Sequence, residues 1–476
     1  METLQRTANR GSISTGFDID NSLKFEADNR EYLRWTNFST YASSARKKKF
    51  SMSVWVKRTE IGVQQVIWST AANGYLSFEA ADNIKWQQTY SGVQKTLNTN
   101  RVFRDTSAWY HIVLQVDTAQ STEADRTKLY INGVQETSFS SATYPSQNDE
   151  AQNLYEQHLI LGEWGGGSVG FSGYVAEHYF LSEVALVPGD VGETDEDSGI
   201  WKPKAYGGTI SSPSYFLEFQ DSSDLGTATS GLDADTMNNI SSADQATDTP
   251  TNNFCTLNQL ALDGSVGSSG NITQGATKAT ATEFDVFITF APTFGVTSGK
   301  WYAEFEYEGS QADNLVGILD IDAVVAYNSR LGKAGQWSVG FYQANGTLYV
   351  TSDSGVTSTA SWGASATNGD IISVAVDMDN HFVYFAKNGT YQNSGVPTSG
   401  STGTGGVAFD SNKTVGIGCS SYDQGGDEGQ IFANYGGFTA GTISSGASDG
   451  NGYGTFEYAP PSGYYALCTK NLAEEG

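Results

Sequence analysis

The stretch Phe50–Arg58 reads Phe-Ser-Met-Ser-Val-Trp-Val-Lys-Arg and alternates apolar and polar residues with a period of two. Successive side chains of a β-strand point to opposite faces, so the apolar residues are predicted to share one face. These residues are Phe50, Met52, Val54 and Val56. The opposite face carries Ser51, Ser53, Trp55 and Lys57. An apolar row on one side of a strand needs a second layer to cover it, so the stretch predicts a β-sandwich.

Two further segments predict neighbours of this strand. In 109–117 an apolar residue recurs at every second position, at Tyr110, Ile112, Leu114 and Val116. The segment 128–135 contains Asn132-Gly133, and Asn-Gly is the strongest short-range signal for a two-residue hairpin turn.

The three segments together resemble the laminin-G-like, concanavalin-A-like jelly roll. That family carries a strand ending Trp-Val-Lys, a Trp-x-His strand and a Leu-Tyr-x-Asn-Gly hairpin. Here they read Trp55-Val56-Lys57, Trp109-Tyr110-His111 and Leu129-Tyr130-Ile131-Asn132-Gly133. The resemblance implies a jelly-roll fold but no particular chemistry, because members bind sugars, proteins or only their neighbours.

The second half of the sequence also predicts alternating strands and Asn-Gly hairpins, but with different motifs. The strand Gly299–Tyr307 alternates strictly, and 369–377 is followed by a further Asn-Gly at Asn388-Gly389. A Gly-x-x-Tyr-x-Glu strand, a Gly-Asp-x-Ile/Val-x-Val strand and a Phe-x-x-Asn-Gly hairpin are SPRY signatures, and roughly 280–440 resembles that domain.

These patterns predict an all-β protein of two jelly-roll sandwiches joined by an irregular connector. The predicted parts are an N-terminal arm or anchor (1–12), a laminin-G-like jelly roll (13–232), a polar connector (233–275) and a SPRY-like jelly roll with a closing C-terminal strand (276–476).

The charge is unevenly distributed. The net charge of −27 opposes binding to nucleic acid. Residues 1–58 hold 11 Lys/Arg and 6 Asp/Glu, a net of +5, and the remainder holds 15 against 47, a net of −32. This basic N-terminal region, followed by an acidic remainder, suggests that the N-terminal end docks on a negatively charged partner. The docking residues would be Arg46, Lys47, Lys48 and Lys49. The alternative is an ordinary solvated charge cluster.

The sequence lacks the usual signals of several classes of protein. Three cysteines without a Cys-x-x-Cys spacing argue against a disulfide framework or zinc site, and favour maturation in a reducing cytoplasm. The first 16 residues contain no apolar signal-peptide core, and no run of about 18 apolar residues predicts membrane insertion.

Catalytic patterns are weak. Jelly-roll glucanases carry Glu-x-Asp-x-x-Glu on one strand, and this spacing is absent. Gly446–Gly450 fits Gly-x-Ser-x-Gly, but neither a strand before it nor a helix after it is predicted. The four histidines are scattered through strand-like contexts, which favours packing.

No cofactor is predicted apart from a possible role for Ca²⁺, the metal that laminin-G relatives use on rim loops. Asp28, Asn29, Asp423 and Asp427 could supply oxygen ligands. Ordinary turn acids are the alternative, since no EF-hand spacing is present.

Aromatic side chains near predicted loops are candidates for stacking on sugar rings. They are Trp86, Tyr90, Trp164 and Trp362, with Trp164 beside a run of glycines. The alternative for each is a place in the core, because large aromatic residues are mostly buried.

Two phrases resemble structural proteins of tailed bacteriophages, particularly marine ones: 248–258, ending Asn-Phe-Cys-Thr-Leu-Asn, and 463–472, Gly-Tyr-Tyr-Ala-Leu-Cys-Thr-Lys-Asn-Leu. The resemblance implies a fibre or decoration protein on the virion surface, made in the host cytoplasm. Its partners would be other virion proteins and a host surface glycan or receptor. Proteins of this kind are usually homo-oligomers, often trimers, so copies of itself would be further partners. We therefore expect a non-enzymatic adhesion protein. The alternatives are a virion-borne glycan hydrolase and a purely architectural protein that stabilises the particle.

Overall fold

The structure is a computed structural model that describes residues 16–476 apart from 37, 71–73, 153, 156–157, 166, 168, 197, 263–269, 312, 324–327, 334 and 353–354. The predicted N-terminal arm, 1–12, lies outside the described residues. Contacts divide the described chain into an N-terminal unit that ends at Thr251 and a C-terminal unit, Asn252–Gly476. The division falls within the predicted connector.

The N-terminal unit is built almost entirely of strands. They are β1 (Ser22–Phe25), β2 (Tyr32–Trp35), β3 (Lys49–Arg58), β4 (Gln65–Thr70), β5 (Tyr75–Phe78), β6 (Asn83–Tyr90), β7 (Val93–Val102), β8 (Tyr110–Asp117), β9 (Thr127–Ile131), β10 (Val134–Gln135), β11 (Phe139–Ala142), β12 (Leu159–Leu161), β13 (Gly173–Ser182), β14 (Gly192–Thr194), β15 (Trp201–Pro203), β16 (Tyr215–Leu217), β17 (Ser230–Gly231), β18 (Thr236–Asn238) and β19 (Gln245–Ala246). A short helix, α1 (Ser44–Lys48), precedes β3, and 3-10 turns lie at Phe38–Tyr41, Glu123–Asp125, Pro188–Asp190 and Ser242–Asp244.

These strands form two large antiparallel sheets. One has the order β10-β9-β8-β3-β13-β1-β19, with β16 and β17 attached beside β13, and the other has the order β11-β7-β6-β5-β4-β12-β2-β18. A small pair, β14 and β15, lies outside them. One continuous core contains residues of both large sheets, which makes the unit a sandwich.

The predicted organising strand lies at the centre of the first sheet. β3 pairs with β8 in the register Phe50↔Val116, and Asn132-Gly133 turns β9 into β10 with positive φ at both residues, 49° and 79°. The four apolar residues of β3 enter the core, as predicted.

The polar face of β3 is buried as well, which the alternation did not predict. Residues 184–216 place Val184, Leu186 and Phe216 over this side of the sheet, around Val113 and Tyr179. A second apolar layer therefore covers a strand face that reads as polar.

The C-terminal unit is a second two-sheet sandwich. Its strands are β20 (Gly270–Thr273), β21 (Lys278–Ala281), β22 (Phe287–Phe290), β23 (Lys300–Glu308), β24 (Leu315–Asp320), β25 (Ser338–Tyr342), β26 (Leu348–Ser352), β27 (Gly355–Thr359), β28 (Ile371–Asp377), β29 (Phe382–Lys387), β30 (Thr390–Tyr391), β31 (Val407–Ala408), β32 (Val415–Gln424), β33 (Asp427–Glu428), β34 (Gln430–Asn434) and β35 (Tyr465–Ala466). The helix α2 (Thr469–Glu475) ends the chain, and 3-10 turns lie at Gln259–Ala261, Gln392–Ser394 and Pro397–Thr402.

Its sheets run β20-β21-β34-β23-β28-β29-β30, with β31 beside β29 and β35 beside β23, and β22-β32-β24-β25-β26-β27, with β33 beside β32. The apolar row predicted for 299–307 lies in the core between them. On the other face of β23, Tyr302 and Glu304 are buried beneath residues 456–466. The C-terminal segment thus covers a polar strand face, as 184–216 does in the first unit.

The predicted connector, 233–275, is shared between the two units. β18 pairs with β2 and β19 with β1 in the N-terminal unit, whereas Cys255 and Leu257 are buried in the core of the C-terminal unit. No helix among the described residues has the length and apolar character needed to cross a membrane.

Candidate functional site

Trp164 lies in a tight loop between β12 and β13 that the backbone holds closed. The Trp164 amide donates to the Val169 carbonyl at 2.8 Å, and the Gly167 amide donates to the Trp164 carbonyl at 2.8 Å. Ser69 Oγ on β4 donates to the carbonyl of Glu163 at 2.7 Å. These bonds fix the loop to the outer side of the eight-stranded sheet.

The neighbouring Glu163 strengthens this attachment. Its carboxylate accepts from Arg30 Nε at 2.8 Å, and this pair raises the pKa of Arg30. Gly167 has φ 72°, and a Cβ there would lie 2.5 Å from Arg30 Nη2. The glycine therefore lets the arginine cross the loop closely.

Tyr75 on the sheet contacts Trp164, and two polar side chains contact the Tyr75 hydroxyl. The rings of Tyr75 and Trp164 meet edge to face, with centroids 6.4 Å apart. Lys85 Nζ lies 3.0 Å from the Tyr75 hydroxyl, which donates to Gln87 Oε1 at 3.4 Å. Tyr75 on β5 is the register partner of Gln87 on β6. We call these four residues, Tyr75, Lys85, Gln87 and Trp164, the Trp164 cluster.

The Trp164 cluster has the chemistry of a sugar subsite. Trp164 and Lys85 are partly exposed, whereas Tyr75 and Gln87 are buried, each 9% exposed. A partly exposed indole offers an apolar surface to a pyranose, and the Lys85 ammonium can bond its hydroxyls. The sequence indicated Trp164 alone. The other three residues are on β5 and β6, on the face opposite the core. Only the pairing of these two strands shows that the three side chains lie together.

Residues 28–191 match the family model described as the concanavalin A-like lectin/glucanases superfamily. This match and the antiparallel sheets confirm the all-β, concanavalin-A-like class predicted from the sequence. The matched segment contains the Trp164 cluster.

Solved structures of two kinds resemble the chain. The SPRY domain of human HERC1 is 16% identical, with 35% of this chain and 92% of that chain covered and a TM-score of 0.27. A human SPRY domain is 13% identical, with 35% and 94% covered and a TM-score of 0.24. A Bacteroides ovatus protein described as a candidate carbohydrate binding protein is 15% identical, with 36% and 45% covered and a TM-score of 0.28. No curated protein matches the chain.

The other predicted stacking residues lie inside. Trp86 and Tyr90 are fully buried in the core of the concanavalin-A-like sandwich, so the expectation that they lie near the surface is corrected. They occupy the apolar-facing positions of β6, and neither has a ring face open to a sugar. Trp362, in the C-terminal unit, is partly exposed but meets Phe341 and Phe385 edge to face, at 6.3 and 5.8 Å between centroids.

The predicted calcium ligands are divided between the two units. Asp28 and Asn29 are exposed in the N-terminal unit, and the Asn29 amide donates to Glu31 at 3.2 Å. Asp423 and Asp427 are in the C-terminal unit, where Asp423 accepts from the Gly426 amide at 3.1 Å and Asp427 is exposed. Within the described parts of the chain, no group of three or more His, Cys, Asp or Glu residues could hold a metal ion.

The predicted attachment residues lie on α1 and the start of β3, and three of them have acidic neighbours. Arg46 Nε is 3.3 Å from Glu183, Lys48 Nζ is 4.0 Å from Glu150 and Lys49 Nζ is 3.0 Å from Asp117. Lys47 lies between them on the helix. The four cations remain on one short segment, but much of their charge is balanced within the unit.

Ser53 and His111 form a buried polar pair in the N-terminal unit. Ser53 Oγ is 2.8 Å from His111 Nε2, yet both residues are buried and burial lowers the pKa of His111 to about 3. Trp55 and Trp201 stack on the His111 ring, at 4.6 and 6.0 Å. A substrate cannot reach this pair without displacing the covering layer.

Two glutamates line a small cavity in the C-terminal unit that has room for roughly one water molecule. Burial raises the pKa of Glu304 to about 6. Its carboxylate accepts from the Glu457 and Tyr458 amides, both at 2.8 Å, and Glu306 accepts from Thr442 Oγ1 at 3.1 Å. These carboxylates hold the C-terminal segment on the sheet. Among the described residues, Cys255, Cys419 and Cys468 are buried and form no disulfide.

Proposed function

We propose that this protein is a non-enzymatic adhesin of a bacteriophage particle, which binds a host surface glycan through the Trp164 cluster. The observation that carries the proposal is a partly exposed tryptophan, held rigidly beside hydroxyl-bonding groups, within a segment that matches a lectin and glucanase superfamily. Preorganised aromatic side chains give affinity at little entropic cost.

The positions of the glutamates support binding of a glycan without its hydrolysis. Glycoside hydrolysis needs two carboxyl groups about 5 to 9.5 Å apart across a substrate. The acid nearest Trp164 is Glu163, which is 2% exposed and bonded to Arg30. Glu304 and Glu306 are bonded to their own chain. The proposed role is therefore adhesion. Release of reducing sugar in a turnover assay would show hydrolysis instead.

The particle location rests on the sequence phrases at 248–258 and 463–472. In the proposal the N-terminal region, including Arg46–Lys49, binds other virion proteins. The sandwiches are presented outward, and copies of the chain form a homo-oligomer such as a trimer. Immunogold labelling of particles would give a regular pattern of sites. Deletion of 1–12 should abolish incorporation while leaving the purified chain folded.

The binding test uses the purified full chain on a glycan array, with reducing-sugar release measured on every bound glycan. Trp164→Ala should weaken binding roughly fivefold, because about 1 kcal/mol of ring stacking is lost. Trp164→Phe should retain part of the affinity. Val134→Ala, at a site 68% exposed on another sheet of the same unit, is the matched control. Equal binding by Trp164→Ala and wild type would refute the site, and reducing-sugar release would refute the non-enzymatic assignment.

A further inference from the structure

The outer face of the sheet β22-β32-β24-β25-β26-β27 carries a row of aromatic rings. Phe287 on β22 lies directly opposite Tyr422 on β32, with ring centroids 4.5 Å apart. Tyr342 on β25 and Tyr349 on β26 form a second pair, with centroids 5.9 Å apart. All four rings are partly exposed. Phe287, Tyr342 and Tyr349 pack against a satellite cluster that contains Leu315 and Leu331 and is separate from the main core.

Arg330 joins the two pairs. Its guanidinium carbon lies 4.1 Å from the Tyr349 ring centroid and 5.7 Å from that of Phe287. Among the described residues it has no carboxylate within ion-pair distance. The guanidinium lies against ring faces and donates from Nη1 to the Leu331 carbonyl at 3.3 Å, which leaves its other N–H donors for another partner.

The backbone beneath Arg330 is firmly placed. Leu331 is fully buried, and its amide donates to Ser420 Oγ at 3.0 Å. A Cβ at Gly340 would lie 2.7 Å from the Leu331 Cβ, so a glycine is required where the leucine meets the sheet. Rigid placement means that the arginine need not be ordered when a ligand binds.

Carboxylates flank both ends of the row. The Tyr422 hydroxyl donates to Asp285 at 3.0 Å, and the Tyr342 hydroxyl donates to Asp313. Each carboxylate accepts one phenol in these bonds and has further acceptor positions for ligand hydroxyls. Phe284, which is 62% exposed, lies one residue before Asp285 and adds apolar surface.

We propose that this aromatic face, formed by Phe287, Arg330, Tyr342, Tyr349 and Tyr422, is a second and independent binding site for a neutral polysaccharide. Arg330 lies 4.1 and 5.7 Å from one ring of each pair, so the rings and the guanidinium form one continuous surface that suits a short run of linked sugars. Flat rings and a flat guanidinium stack on pyranose faces, while the flanking carboxylates and guanidinium donors bond hydroxyls.

Charge selects a neutral ligand. Residues 252–476 hold 7 Lys/Arg and 21 Asp/Glu, a net of −14, which repels anionic polymers. A cationic peptide would place positive groups against Arg330 at the centre of the face, where like charges repel. A neutral chain of sugars avoids both penalties.

Packing against the satellite cluster accounts for the buried part of the row, but all four rings remain partly exposed. Two half-buried ring pairs share one face of the sheet, and Arg330, in the segment between β24 and β25, contacts one ring of each pair. A second site also raises avidity, since tethered sites bind as an effectively intramolecular pair.

The test is affinity electrophoresis of the full chain through gels that contain dextran, mannan or galactan, with alginate as the anionic probe and binding to poly-L-lysine as the cationic one. Tyr349→Ala and Tyr422→Ala are made in a Trp164→Ala background, so that retardation reports this face alone. Tyr349→Phe keeps the ring, and Val396→Ala, 43% exposed in a loop of the same unit, is the control. Circular dichroism confirms that each variant is folded.

We expect retardation by at least one neutral polysaccharide, weakened roughly tenfold by each alanine variant and changed less than about twofold by Tyr349→Phe and Val396→Ala. The proposal is overturned by absence of retardation on all three neutral polymers, by equal retardation of the ring variants, or by stronger binding to alginate or poly-L-lysine. Retardation that survives Trp164→Ala but not the ring substitutions supports this face even if the first site proves wrong.

Discussion

Replacing Asp248 by asparagine should strongly destabilise the N-terminal unit. Asp248 Oδ2 lies 2.7 Å from Lys57 Nζ, and the side chains of Lys57 and Asp248 are 0% and 1% exposed. Its other carboxylate oxygen accepts from Trp109 Nε1 at 3.1 Å, and its carbonyl accepts from Ser22 Oγ at 2.6 Å. The aspartate thus fastens the end of the segment 233–251 to the central strand β3.

The magnitude follows from the lost charge. An asparagine keeps the size and one acceptor of the aspartate, but it removes the negative charge that lies 2.7 Å from the buried Lys57 ammonium. Breaking a buried ion pair by removing one partner costs about 3–5 kcal/mol. For a unit of this size, about 1 kcal/mol corresponds to about 2–4 °C, so we expect its unfolding midpoint to fall by roughly 6–20 °C.

The assay is scanning calorimetry of the full chain, in which each unit is expected to unfold with its own transition because each has its own core. Only the transition of the N-terminal unit should move. Asp235→Asn, an exposed residue of the same segment, should cost less than about 1 kcal/mol. The double variant Lys57→Met/Asp248→Leu should be more stable than Asp248→Asn, since apolar side chains replace both members of the buried ion pair. A shift below about 2 °C for Asp248→Asn, or a double variant less stable than the single one, would refute the reasoning.

Three further predictions concern the N-terminal unit. Burial raises the pKa of Glu177 to about 8, so the folded state binds a proton that the unfolded state has lost; stability should fall as the pH rises from about 4.5 to 8, and Glu177→Gln should flatten that part of the Tm profile. Gly133→Ala should cost about 2 kcal/mol or more in urea unfolding, because φ is 79° and the new Cβ would lie 2.5 Å from the Trp201 ring. Trp86→Ala should cost about 3–5 kcal/mol, whereas Trp164→Ala at the partly exposed site should cost clearly less; equal losses in urea unfolding would contradict the burial assigned to Trp86.

The local sequence determined the strands and their turns. The alternation in 50–58 set which residues of β3 enter the core, because a strand has a side-chain period of two. Asn132-Gly133 set the β9–β10 turn, because both residues adopt positive φ easily. Features that depend only on neighbours along the chain were therefore predictable, and so was the all-β class.

Tertiary structure alone decided what covers each strand and which distant side chains meet. The polar side of β3 is buried because a segment more than a hundred residues later packs on it, and β6 places Trp86 inward by its pairing with β5. The Trp164 cluster and the aromatic face each combine side chains from several strands and loops. Such sites depend on strand order and register, which long-range packing sets and no local pattern contains.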